Sequence, residues 1–213
     1  MITIETFTFN DFQENTYLLF DDTKECLIVD PGCYSAFEQS ELKTFVDKHN
    51  LRPVGLINTH CHIDHVLGNA FVSNTWTLDL EIHRLDIPTL EAVKEYCQLY
   101  GFVNYEQSPE PSRFLEEGDT ITFGNSKLRV LFTPGHAPGH IVLHSQKHQF
   151  VIGGDVLFHN SIGRTDLPGG DYDTLIKSIK NKLLTLEDQT KVYCGHGPST
   201  SIGFEKKNNP FLT

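Results

Sequence analysis

No stretch of this 213-residue chain is apolar for more than four residues; YLLF at 17–20 and CLIV at 26–29 are the longest. A membrane-spanning helix needs about 20 such residues, so no span and no membrane partner are expected. The first twelve residues, MITIETFTFNDF, carry neither a basic lead nor a continuous apolar stretch, and no secretory signal is expected either. Basic runs are as scarce: Lys206-Lys207 is the longest, against a net charge of −11. A phosphate backbone needs a cationic surface, which excludes nucleic acid as the main partner. By the same logic, an anionic substrate would require a local cationic patch. The five cysteines are odd in number and scattered, so they form no disulfide framework, and a cytoplasmic setting is the expectation.

What the chain does have is enough length for one domain with a sizeable core. Strands are expected over ITIETFTF, TYLLF, ECLIVDPG, PVGLIN, DTITFG, KLRVLF, HIVLHS, FVIGG and KVYCG, which combine β-branched and aromatic residues with turn residues at their ends. Ser35 with Glu38 three residues later predicts a capped helix start, with Phe37, Leu42, Phe45 and Val46 as its apolar face. Further helices are expected over about 86–99 and 173–184, with a loop through SPEPS. Strands and helices succeed one another without an alternating strand–helix–strand rhythm, which predicts two similar halves, each a sheet covered by a helix.

Histidine is the residue in excess, eleven in an acidic chain, and its placement carries the chemistry. THCHIDH at 59–65 packs His60, His62, Asp64 and His65 into seven positions after a strand. Imidazole and carboxylate suit zinc, iron or manganese. On an extended strand end His60 and His62 would share a face and Cys61 would point away. Adjacent Asp64 and His65 can hardly face the same ion as that pair, so a second metal or a supporting role follows. Three more strand ends carry similar groups: His136 in LFTPGHAPGH, Asp155 in FVIGGDVLF and His196 in KVYCGHGP. A buried Asp155 is costly unless paired or metal-bound. Each position alone is unremarkable. The set is not.

Together THCHIDH, TPGHAPGH, GGDVLF and CGHG, with SIGRTDLPGGDY, NPFL and IVDPG, resemble the metallo-β-lactamase superfamily and, within it, short glyoxalase II-like hydrolases. The resemblance implies an α/β fold, the αββα sandwich, as a single domain over 1–213 without the C-terminal helical region of full-length glyoxalase II. It implies two divalent ions, zinc by default with iron or manganese possible. His60, His62 and His136 would hold one, Asp64, His65 and His196 the other, with Asp155 bridging. Asp30 and Thr59 would support them. The implied reaction is hydrolysis of a small-molecule thioester or ester, such as S-D-lactoylglutathione, by a metal-bridging hydroxide that Asp64 and Asp155 orient. For an anionic substrate Arg164, Lys206 and Lys207 are the nearby cationic candidates. Alternatives of the same fold are a persulfide dioxygenase-like enzyme with one iron, against which His196 argues, and a lactone-directed hydrolase.

Overall fold

The computed structural model describes residues 1–212, which fall into two compact units. The first, 1–114 with 122–126, is built on a six-stranded sheet. Strands β1 (Thr3–Phe9), β2 (Glu14–Phe20) and β3 (Glu25–Val29) run antiparallel in sequence. Strands β4 (Arg52–Ile57), β5 (Leu80–Ile82) and β6 (Pro111–Phe114) then add in parallel. Parallel neighbours need crossovers. These are α1 (Ala36–Lys48), then the pair α2 (Ile63–Val66) and α3 (Asn69–Trp76), then α4 (Ile87–Tyr96). The expected absence of a strand–helix–strand rhythm is therefore wrong for this unit. β5 has only three residues and leaves no periodic trace. The SPEPS loop is corrected as well, because its last two residues open the edge strand β6.

Helix α1 begins as its capping box predicts: Ser35 accepts the Glu38 amide, and Glu38 accepts the Ser35 amide in return. Its buried side chains are Leu42 and Val46, while Phe37 stands 78% exposed and is no part of the core face. Position 37 lies in the first turn, five residues before the first buried one. Leu42 and Val46 join Leu18, Ile28, Leu56, Leu80 and Ile82 in one apolar cluster.

The second unit takes residues 115–121 and those from 127 on. Its sheet reads β14–β13–β10–β9–β8–β7, with β7 Thr120–Phe123, β8 Ser126–Phe132, β9 Ile141–Ser145, β10 Phe150–Gly154, β13 Lys191–Cys194 and β14 Thr200–Ser201. A small hairpin, β11 (Leu157–Phe158) and β12 (Ser161–Ile162), follows β10. Helix α5 (Tyr172–Ser178), prolonged by a π turn over 179–183, crosses over between the parallel β10 and β13. Helix α6 (Ile202–Asn208) closes the unit. Leu175, Ile179 and Leu183 cluster with Val142, Val151 and Val192 from the sheet. Among the described residues no helix is long and apolar enough to cross a membrane, and all five cysteines are free and buried.

The turn between β7 and β8 is anchored in the first unit by one carboxylate. Asp21 accepts the Thr23 amide at 2.9 Å and hydroxyl at 2.6 Å, the Asn125 amide at 2.8 Å and the Ser126 hydroxyl at 2.7 Å. Burial pushes the Asp21 carboxyl up, but these four donors outweigh it and hold it at about 2. A depressed carboxyl stabilises the fold above its unfolded value and loses that contribution as pH falls through the folded one. Asp21→Ala is expected to lower unfolding stability at pH 7 by about 2 kcal/mol. The gap from wild type should narrow between pH 4 and 2 in urea titrations of the metal-free protein. A gap independent of pH contradicts this account.

Candidate metal centre

In the first unit β4 stops at Ile57, and residues 58–62 form an irregular bend into α2. Strand alternation therefore does not set the directions of His60, Cys61 and His62, contrary to the sequence reading. The bend is pinned by buried polar groups instead. Asp30 accepts the Thr59 amide on one oxygen and the Thr59 hydroxyl on the other, each at 2.6 Å. Asp86 accepts the Cys61 amide at 2.6 Å, and the Asn58 side chain donates to the His65 carbonyl at 2.9 Å. Asp30, Asn58 and Asp86 are all fully buried. So fixed, the His60 ring lies 4.9 Å from His62 and 4.1 Å from His65, centroid to centroid. Asp64 and His65 sit on α2, as a helix start at this point requires, with His65 Nε2 at 3.6 Å from Asp64 Oδ2.

Behind these rings the polar partners choose the tautomers. His65 Nδ1 is 3.2 Å from Asp30 Oδ2 and 3.8 Å from Glu14 Oε1. His60 Nδ1 is 3.2 Å from Thr59 Oγ1, whose own proton goes to Asp30. At His60 this puts Nδ1–H on the oxygen and makes Nε2 the nitrogen that offers a lone pair, the arrangement metal-ligating histidines adopt, and the carboxylates near His65 Nδ1 favour the same tautomer there by their charge. Ligand atoms of Asp30, His60 and His65 lie within 4.8 Å of one another. Since both Asp30 oxygens already accept hydrogen bonds from Thr59, Asp30 fits a supporting role.

The second unit carries the remaining three residues. His136 follows a left-handed Gly135, where a Cβ would fall 2.3 Å from the Leu175 backbone nitrogen. Its Nδ1 is 2.7 Å from the Arg164 carbonyl and its Nε2 3.5 Å from Asp155 Oδ2. His196 Nε2 lies 3.5 Å from the same oxygen. One carboxylate oxygen is thus equidistant from two imidazole nitrogens. His140, fully buried, accepts the Asp155 amide on Nε2 at 3.0 Å, which fixes that backbone. Gly163, just past β12, is equally constrained, since a Cβ there would lie 1.9 Å from the Asp155 carbonyl oxygen. Gly163→Ala must displace Asp155. Activity is expected to fall about 10- to 100-fold with the fold retained, read by steady-state kinetics and circular dichroism; unchanged kinetics contradict the constraint.

These donor sets fit divalent metal: histidine and carboxylate, with oxygen partners on the far ring nitrogens. Cysteine has no part in them. Burial, then Asp86 and Asp30, push the Cys61 thiol up, and burial, then Asp155 and Glu205, push Cys194 to about 12, so both are protonated at neutral pH. Of the cationic candidates, Arg164 forms a two-pronged pair with Asp166 at 2.7 and 2.8 Å. Lys206 bonds Asp188 at 2.6 Å, and Lys207 is its neighbour on α6. His83 caps a short 3-10 turn by accepting the Leu85 amide. The sequence reading missed Glu14, Asp86, Asn58 and Tyr96. Burial, then the charge of Asp64, raise the Tyr96 phenol above its ordinary value. Nothing local marks Glu14, Asp86 and Tyr96, because their partners lie tens of residues away, and Asn58 reads as the end of an apolar strand although it bonds His65 only seven residues on.

Residues 9–196 match the sequence profile of the Metallo-beta-lactamase superfamily. The chain belongs to that superfamily. A hydroxyacylglutathione hydrolase, GloC of Haemophilus influenzae, is 37% identical over 210 residues, 98% of this chain and 97% of the relative. Among solved structures, BLEG-1 B3 metallo-β-lactamase superposes with a TM-score of 0.89 at 36% identity, covering 99% of this chain and all of the other. TTHA1623 in a di-iron-bound form gives 0.88 at 36%, covering 98% and 100%. The fold is therefore the α/β one of the metallo-β-lactamase superfamily, and the GloC relative together with the histidine-rich donor sets supports a metal-dependent hydrolase.

Proposed function

We propose that the protein is a dinuclear metal-dependent thioesterase of the hydroxyacylglutathione hydrolase kind, acting in the cytoplasm on a small-molecule acyl thioester. The whole chain, 1–213, is read as a single domain. His60, His62 and His136 would hold one ion and Asp64, His65 and His196 the other, with Asp155 between them. The observation that carries this reading is the single Asp155 oxygen 3.5 Å from both His136 and His196, the disposition a bridging carboxylate requires. The GloC relative supports the substrate class, and five free, buried cysteines agree with a reducing compartment.

Two divalent ions, when bound, supply Lewis acidity: they acidify a water and polarise an acyl carbonyl. The chain's own part is positioning. Asp155, held through its amide by His140, accepts a proton from the attacking water and keeps it oriented. Asp64 is fixed by the Asn10 amide on its carbonyl oxygen at 3.0 Å. Arg164, through its carbonyl, holds the His136 ring whether or not its guanidinium meets substrate. Zinc is the proposed metal and iron the alternative, which the di-iron form of TTHA1623 favours.

The test joins elemental analysis to an assay of S-D-lactoylglutathione hydrolysis on one preparation. Two metals per chain with turnover support the proposal. One iron per chain with oxygen uptake on glutathione persulfide overturns it in favour of a dioxygenase, and two metals with lactone but no thioester hydrolysis overturns the substrate class.

A further inference from the structure

Four of the large apolar side chains that stand exposed lie close together in the first unit: Phe12, 40% exposed, in the β1–β2 turn, and Leu99, Tyr100 and Val103, 51–87% exposed, after α4. The Phe12 ring is 5.7 Å from Tyr100 and 5.9 Å from Phe102, centroid to centroid. Tyr96 packs edge-on to Tyr100 at 5.8 Å, and Tyr34 edge-on to Phe102 at 4.9 Å. Gly101 makes this possible: its φ of +87° reverses the chain, so that the residues on both sides of it reach Phe12.

This cluster is tied to a proposed metal ligand. Asn10 donates through its side-chain amide to the Asp64 carbonyl at 3.0 Å and the Gly32 carbonyl at 3.1 Å. Its side-chain oxygen accepts the Phe12 amide at 3.0 Å. One asparagine therefore fixes both the backbone of Asp64 and the turn that presents Phe12. Aromatic surface kept in water favours an apolar group that covers it. Neither 10–15 nor 97–108 contains a lysine or arginine. The wall has nothing to attract the carboxylates of a peptide thiol. It suits a neutral, apolar group.

Resting on the thioesterase reading above, we infer that Phe12 and Tyr100, backed by Tyr96 and the buried Phe102, form the acyl-binding wall of the site, so that the protein prefers medium-chain or aryl acyl thioesters to small hydroxyacyl ones. The acyl chain lies along the rings, and its carbonyl carbon is delivered towards Asp64.

The test uses the metal-loaded enzyme on S-acetylglutathione and S-octanoylglutathione. Wild type is expected to show a kcat/KM at least about 10-fold higher on octanoyl. The double variant Phe12→Ala, Tyr100→Ala should bring that ratio to within about threefold of unity. A misfolded or metal-poor variant lowers both substrates in proportion and leaves the ratio alone, so the ratio isolates the wall. A wild-type ratio of one or less, or a ratio that survives in the variant, overturns the inference. If no thioester is cleaved, the thioesterase reading fails separately, and calorimetry with S-methylglutathione and S-octylglutathione decides the wall. Tighter octyl binding that the variant loses upholds it; equal binding overturns it. Sedimentation of both proteins completes the set: a dimer that the variant dissociates, with the acyl ratio unchanged, assigns the patch to a second copy of the chain and overturns the acyl wall.

Discussion

Asp155→Ala is expected to remove thioester hydrolysis almost completely, with kcat/KM down by about three orders of magnitude or more, and to reduce the metal content below two per chain. Asp155 Oδ2 is 3.5 Å from His136 Nε2 and from His196 Nε2, so its loss takes a charge from both sides of the centre at once. Several kcal/mol of transition-state stabilisation rest on such a centre, and each 1.36 kcal/mol is a factor of about ten in rate. Asp155→Asn separates charge from shape. It keeps an oxygen that can ligate but lacks the negative charge that favours two cations and accepts a proton. It should retain one metal and fall between alanine and wild type. Elemental analysis, steady-state kinetics and circular dichroism on the three proteins check the order. Full metal loading with normal turnover in Asp155→Ala would sink the dinuclear proposal, whereas loss of the folded spectrum would show that the carboxylate also stabilises the unloaded protein.

Why Asp155 was visible in the sequence, and Glu14 was not, follows from how each is held. His60, His62, His136, Asp155 and His196 all come shortly after strands that end in apolar residues, three of them beside a glycine, and a polar group in that place is conspicuous. The strands themselves were legible because β2, β3 and β10 are buried along nearly their whole length. Helix α1 announced its start through Ser35 and Glu38. Its buried face was misjudged at Phe37, because an apolar residue in a first turn matches the period without reaching the core. The crossovers around β5 escaped notice for want of length. Three residues set no period, and α2 and α3 are separated by only two residues. Glu14, Asp86 and Asn58 gave no signal at all. Glu14 and Asp86 act on a metal-binding segment from 51 and 25 residues away, pairings that exist only once the unit has folded, and Asn58 acts through a bend in the same segment that no strand or helix period predicts.

That supporting layer carries the second large effect, in Asp30→Asn. Asp30 is fully buried with a φ of +50°, a left-handed conformation that aspartate tolerates better than most residues. Its two oxygens accept the Thr59 amide and hydroxyl, and Oδ2 also faces His65 Nδ1 at 3.2 Å. Asparagine keeps the backbone conformation but replaces one acceptor with an NH₂ donor, which must then oppose either a Thr59 donor or the His65 Nδ1–H. Either outcome leaves a buried donor without an acceptor, at about 1–3 kcal/mol, and releases the tautomer that aims His65 Nε2. Metal affinity is expected to drop about 10- to 100-fold, read by competition with a chromophoric chelator. Urea unfolding of the metal-free protein measures the stability part separately. Glu14→Gln serves as the graded comparison. Glu14 Oε1 stands farther from His65 Nδ1, at 3.8 Å, and its other oxygen accepts the Thr16 hydroxyl at 2.9 Å, so its effect on metal affinity should be smaller. An Asp30→Asn protein that binds metal as tightly as wild type, or a Glu14→Gln protein that binds it more weakly than Asp30→Asn, would remove Asp30 from the orientation of His65 and leave it only the folding of the bend.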